Sequence, residues 1–257
     1  VQTCALPISG SFNLDLSSAK ASTSIQADVS PDALTLRKPL MLSLYLTPEL
    51  SHFATNGKLS IQSVDPAQLR IAPSGFSWPR PYSLSKLQMA QGSLNLGRIQ
   101  MENPPFLATL AKFLKSGIST QRADLWLTDV DVSVDNGLLT LGRIDALLGQ
   151  SLHFCAWGQI DLVQDQLRLT FGIPADTLAR SLGIRNLSSS YVLQIPVSGT
   201  LHSPVFDTGA ATAKIAGLIA MGTAEKQGGI LGNVAGLVGR IAEEPSPPPK
   251  RPFPWER

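Results

Sequence analysis

Charge, aromatic rings and cysteine are all scarce in this chain. Charged residues make up 16% and aromatics 6% of its 257 residues, against about 25% charged in an ordinary soluble domain. Lys and Arg are scattered and the formal net charge is +2. No basic stripe interleaved with rings is present to follow a phosphate backbone, so nucleic acid is not an expected partner. The cysteines are Cys4 and Cys155. Cys4 falls within residues 1–8, Val-Gln-Thr-Cys-Ala-Leu-Pro-Ile, which is the translation of a common sequencing adapter and is read as a scar. The chain is therefore expected to be the C-terminal part of a longer protein. Cys155 alone makes neither an intrachain disulfide nor a cysteine-rich metal site. Between His153-Phe154 and Ala156-Trp157 it is expected to be a small buried hydrophobe.

Catalytic signatures are also missing. Gly-x-Ser-x-Gly, the phosphate-binding P-loop and Gly-x-Gly-x-x-Gly do not occur. The three histidines, His52, His153 and His202, have no Cys or His at metal-ligand spacing. Asp129, Asp131 and Asp135 alternate with Val130, Val132 and Val134, a strand period rather than the compact turn of a calcium loop. Asp161 and Asp165 are expected to make a polar turn, because no base or nucleophile accompanies them. Neither an enzyme nor a cofactor is expected.

What the chain has in quantity is strand patterning. Alternation of apolar and polar residues gives each strand one greasy face and one wet face. It recurs at Phe12-Leu14-Leu16, Leu34-Leu36, Leu40–Leu46, Leu59-Ile61, Leu69-Ile71, Leu84–Ala90 and Ser93–Met101. It continues from Arg122 through Leu138–Leu148, Leu152–Leu162, Gln166–Phe171 and Tyr191–Leu201. Asp135-Asn136-Gly137 predicts a tight hairpin, and Gln91-Gly92 is read as a turn between two strands. The three prolines in residues 73–81 argue against a central strand there. Thr47-Pro48 opens a short helix. A second helix is expected over about 104–117 with Gly117 as its cap, and a third over Asp176–Leu182 ending at Gly183.

Four segments follow from these changes of pattern: the scar 1–8, a β-rich domain 9–207, an Ala/Gly-rich helical segment 208–243 and a Pro-rich tail 244–257. The apolar blocks after Gly209 are too short for a spanning helix, which needs about 20 residues. A helix packed on the sheet is expected there, with contact at a membrane surface through 210–242 as the other reading. The tail is expected to be extended, disordered or loosely docked.

The region from Leu125 to Asp207 resembles the C-terminal portion of AsmA-like proteins, the wider group that includes TamB. The resemblance rests on Val134-Asp135-Asn136-Gly137-Leu138-Leu139, on Gly158-Gln159-Ile160-Asp161-Leu162 followed by Gln166-Leu167-Arg168-Leu169, and on Ile195-Pro196-Val197-Ser198-Gly199-Thr200-Leu201-His202-Ser203-Pro204. It implies a mainly β fold: an extended, twisted antiparallel sheet forming an open groove or half-barrel. It also implies a place on the periplasmic side of a bacterial envelope and a non-enzymatic part in phospholipid transport or outer-membrane maintenance. Phospholipid or another acyl-chain ligand is then the expected partner. Leu42, Leu44, Leu94, Leu96, Val130, Val132, Val134, Leu167 and Leu169 are the expected lipid contacts. The same alternation fits a closed β-sandwich acting as a structural or interaction module.

Overall fold

The computed structural model describes residues 10–17, 21–49, 60–102, 122–149, 152–185, 187–201, 203–227 and 245–256. The helix expected over 104–117 falls outside them, as do His52 and His202. The described chain forms sixteen strands of one antiparallel sheet. In order these are β1 (Gly10–Ser17), β2 (Ala21–Val29), β3 (Ala33–Leu36), β4 (Leu40–Leu44), β5 (Ser60–Ser63), β6 (Ala67–Ile71), β7 (Phe76–Pro79) and β8 (Gln88–Asn95). They continue with β9 (Arg98–Glu102), β10 (Arg122–Leu127), β11 (Val130–Asp135), β12 (Leu138–Leu148), β13 (Leu152–Asp161), β14 (Gln166–Pro174), β15 (Val192–Thr200) and β16 (Ser203–Phe206). Two helices accompany them, α1 (Ala175–Leu182) and α2 (Thr208–Gln227).

Several strands are halves of one run broken at a bend. β3 and β4 lie along the same neighbour, β2. β8 pairs with β11 while β9 pairs with β10, and β10 and β11 pair in turn with β12. With each such run taken as one, the sheet is a meander in chain order from β1 to β16. Such a sheet requires only antiparallel turns between successive runs. Among the described residues β1 and β16 are not paired with each other, and all the strands belong to one sheet. The result is the open antiparallel sheet expected from the sequence, not a two-sheet sandwich.

Local chemistry explains the turns. Asn136 and Gly137 take φ of 51° and 83°, the left-handed pair that closes a two-residue hairpin, and Asp135 faces Leu138 across it. Helix α1 stops at Gly183, whose φ of 67° and N–H bond to the Ala179 carbonyl form a glycine cap. Helix α2 sets Ala211, Ile215 and Leu218 against the apolar residues of β15 and β16, the spacing of one helical stripe. This is the packed helix expected after Gly209. Pro48 and Glu49 begin a helical turn where Thr47-Pro48 places one; its continuation lies outside the described residues.

Two expectations are corrected. Gln91-Gly92 is not a turn: β8 continues through it, with a bulge that sets Ala90 and Gln91 together against Ser133, and the break comes at Leu96-Gly97, where Gly97 has φ 59°. Gly92 is needed inside the strand because a Cβ there would sit 2.9 Å from Val132 Cγ2. The Pro73–Pro81 segment is not all loop either. It contains β7, whose Phe76 and Ser77 pair with β8 while Trp78 and Pro79 pair with β3. Each pairing is two residues long, so the prolines confine the strand without abolishing it.

A bulge keeps the apolar side chains on one face. Opposite β13, the register of β12 shifts between Leu141 and Ile144, so Gly142 and Arg143 together oppose Trp157. One extra residue restores the side-chain parity. Leu139, Leu141, Ile144, Ala146 and Leu148 therefore share a face with Ile160, Gly158, Ala156, Phe154 and Leu152, their partners. The two apolar clusters, one around Val130, Val132 and Val134 and one around Leu125, Phe171 and Leu193, consequently lie on the same side of the sheet, and Ile144 touches both.

Candidate functional site

The apolar face is organised in cross-strand rows. One row runs Leu40, Ile71, Gly92, Val132, Leu141, Gly158, Leu169, Val197 and Phe206. It crosses nine strands, about 38 Å of sheet at roughly 4.8 Å per strand. A second row joins Leu42, Leu69, Leu94 and Val130. A third joins Phe76, Met89, Val134, Leu139, Ile160 and Leu167. Of the nine residues expected on this face, Val132 and Leu169 fall in the first row, Leu42, Leu94 and Val130 in the second, Val134 and Leu167 in the third. Leu44 faces Ala67 beside the second row, and Leu96 packs against the cluster around Leu125.

Coverage of this face is graded along the sheet. Towards the C-terminal strands it is sealed by Leu178 of α1 and by Ala211 and Leu218 of α2. Towards β4, β6 and β8, Leu40, Leu42, Leu44, Leu69 and Leu94 are only half-buried. Val130, Val132 and Val134 are fully buried between the two regions.

The opposite face carries a charged cluster that sequence patterning did not single out. Asp145 has 0% exposure. Its carboxylate accepts two bonds from Arg143, at 2.9 Å from Nε and 2.7 Å from Nη2. The same carboxylate lies 2.7 Å from His153 Nε2. The Asp145 N–H donates to Thr128 Oγ1 at 2.9 Å. His153 Nδ1 lies 3.7 Å from Asp176 at the start of α1, and Asp176 also pairs with Arg180. Thr177 Oγ1 ties α1 to β13, accepting from the His153 N–H at 3.0 Å and donating to its carbonyl at 2.8 Å.

These contacts set the charge of the ring. Burial opposes protonation of His153, but the hydrogen bond to Asp145 and the negative charge of Asp145 and Asp176 outweigh it, so its pKa is raised. Burial likewise opposes ionisation of Asp176, and the contact with His153 and the charge of Arg180 outweigh that, lowering its pKa. With a carboxylate near each ring nitrogen, His153 joins β12, β13 and α1. Cys155, beside Asp145 in the register, is the buried small residue expected. Burial pushes its thiol up to about 12, which keeps it protonated and unreactive at neutral pH. Among the described residues no group of three or more metal-ligating side chains converges.

The C-terminal tail lies over this cluster. Gln194 Nε2 donates to the Pro245 carbonyl at 2.7 Å, and Arg143 Nη1 to the Pro248 carbonyl at 3.1 Å. Arg251 pairs with Asp131. Phe253 is 3% exposed, edge-on to His153 with ring centroids 5.8 Å apart. It also stacks on Trp255 at 5.0 Å, which meets Trp126 edge-on at 5.2 Å. The tail is therefore docked, one of the alternatives its composition allowed, and through more contacts than a loose association implies. Asp131, expected on a solvated face, is one of its anchors. Two signals of the cluster lie in the sequence: the aromatic pair Phe253 and Trp255 in a chain poor in rings, and Asp145 two residues from Arg143.

No protein-family model, curated protein or solved structure matches the chain. Among the described residues no helix is long and apolar enough to cross a membrane.

Proposed function

We propose that this chain is the C-terminal part of an AsmA-like envelope protein that holds phospholipid acyl chains against its apolar sheet face and takes part in moving them between membranes. The observation that carries the reading is the nine-strand apolar row, on one face of an open sheet, with no second sheet opposing it among the described residues. A hydrocarbon leaflet is about 15 Å deep, half of a bilayer core of about 30 Å. The accessible leucines of β4, β6 and β8 span two strand spacings, about 10 Å, so they would hold part of a chain of that reach. Each methylene withdrawn from water contributes about 0.8 kcal/mol, so a sixteen-carbon chain needs about 12 kcal/mol of apolar contact to leave a membrane without penalty. The half-buried leucines of β4, β6 and β8 are the accessible part of the face, and they would receive the chain.

Native mass spectrometry of the protein purified in mild detergent tests this directly. Phospholipid adducts that survive desalting are expected. A protein that is folded yet free of lipid after expression in a diderm host would count against the proposal.

A further inference from the structure

The geometry points to a peptide-recognition site on the polar face, built for a proline-rich basic segment carrying a Phe-Pro-Trp end and filled in cis by residues 245–256. The contacts on the tail recur every third residue: the Pro245 carbonyl, the Pro248 carbonyl and the Arg251 side chain. Three residues per turn is the period of a polyproline II helix, so the two carbonyls project from one side of such a helix.

Chemistry matches the spacing. Proline has no backbone N–H, so a proline-rich segment offers mainly carbonyl acceptors and must be met by side-chain donors. Gln194 and Arg143 supply them. Arg143 is held in place by its two bonds to the buried Asp145, which fixes the donor independently of the tail. Preorganisation of this kind raises affinity by lowering the ordering cost of binding. Asp131 complements the cation of Arg251, and the edges of His153 and Trp126 receive the Phe253–Trp255 stack. Gln194, Arg143, His153, Trp126 and Asp131 all alternate with residues of the apolar face, so the site occupies one side of the sheet and the apolar rows the other. It does not depend on the lipid reading.

Because the ligand is tethered, its effective concentration is in the millimolar range for a short linker, and it masks the site from the same peptide in trans. The test uses the full chain and a fluorescent synthetic peptide of residues 245–257, followed by anisotropy. The F253A/W255A chain, whose own tail is disabled, is expected to bind the peptide at least tenfold more tightly than wild type. Adding Asp131→Asn to that chain should weaken binding severalfold. The R251E chain loosens the tail through an exposed ion pair, without altering the aromatic packing, and should also bind more tightly than wild type. It provides the test if F253A/W255A fails to fold by circular dichroism. No saturable binding to a folded, tail-disabled chain, or equal binding to wild type and both variants, would overturn the proposal.

Discussion

Replacing Asp145 by Asn probes the cluster that ties the bend of the sheet to α1 and the tail. Asp145 is fully buried, and its partners Arg143 and His153 have side chains only 8% and 11% exposed. Solvent screening of the interaction is therefore weak. Asn keeps the shape and one acceptor but removes the charge, leaving a guanidinium that cannot deprotonate. Breaking a buried ion pair from one side costs about 3–5 kcal/mol. The retained amide acceptor argues for the lower end, about 3 kcal/mol, a large part of a total stability of about 5–15 kcal/mol. With a urea m-value near 3 kcal/mol/M, the midpoint should fall by about 1 M. Removing both charges with Arg143→Met and Asp145→Leu should recover part of the loss, because a packed apolar pair often replaces a buried ion pair at little cost. The shortfall should be the Arg143–Pro248 bond and the Asp145–His153 bond, about 1 kcal/mol each. Urea denaturation of the wild type, the single variant and the double variant forms the assay. A single-variant loss below about 1 kcal/mol, or a double variant less stable than the single, would refute the reasoning.

Four further outcomes are expected. The His153–Asp176 interaction gives stability a pH window. The raised pKa of His153 makes its share complete below about pH 6.5 and lost as pH rises through the raised value, while the lowered pKa of Asp176 makes its share present above about pH 4 and lost as pH falls through the lowered value; urea midpoints across pH should show this plateau, and His153→Gln should flatten its alkaline limb. Thr177→Val strands the buried N–H and C=O of His153, so a loss of about 2–3 kcal/mol and faster exchange of the His153 amide are expected. Gly158→Ala places a Cβ 2.4 Å from the Arg168 carbonyl oxygen at a φ of 136°, and a melting shift equivalent to about 2–3 kcal/mol should follow. Leu69→Gln and Leu94→Gln, at half-buried positions, should leave circular dichroism unchanged and remove co-purified phospholipid; retained lipid would place the ligand elsewhere.

The fold was legible where local chemistry decides it. Asn136-Gly137 fixed a hairpin, Gly183 a helix end, and alternation located β12 to its first and last residue. The bends were not legible. A bulge such as Gly142-Arg143 is defined by the partner strand, because only Trp157 opposite shows that one residue is extra. Gln91-Gly92 misled for a related reason: glycine marks both turns and close approaches, and here the approach of Val132 on the neighbouring strand β11 requires it. The apolar rows followed from strand parity, so the expected contact residues fell on one face. The charged cluster did not follow, because Asp145 and His153 occupy the positions that alternation assigns to water. Among the described residues the tail, folding back over them together with the start of α1, turns that face into an interior.

Face-specific photo-crosslinking tests the central claim most directly. Leu69 and Leu94 lie in one apolar row, while Arg70 and Ser93 form the adjacent row on the opposite face. A photoreactive residue is placed at each position in turn, in cells fed radiolabelled phosphate. The account predicts phospholipid adducts at Leu69 and Leu94 and none at Arg70 or Ser93. Equal labelling of both faces, or none on the leucine face of a folded protein, would contradict it.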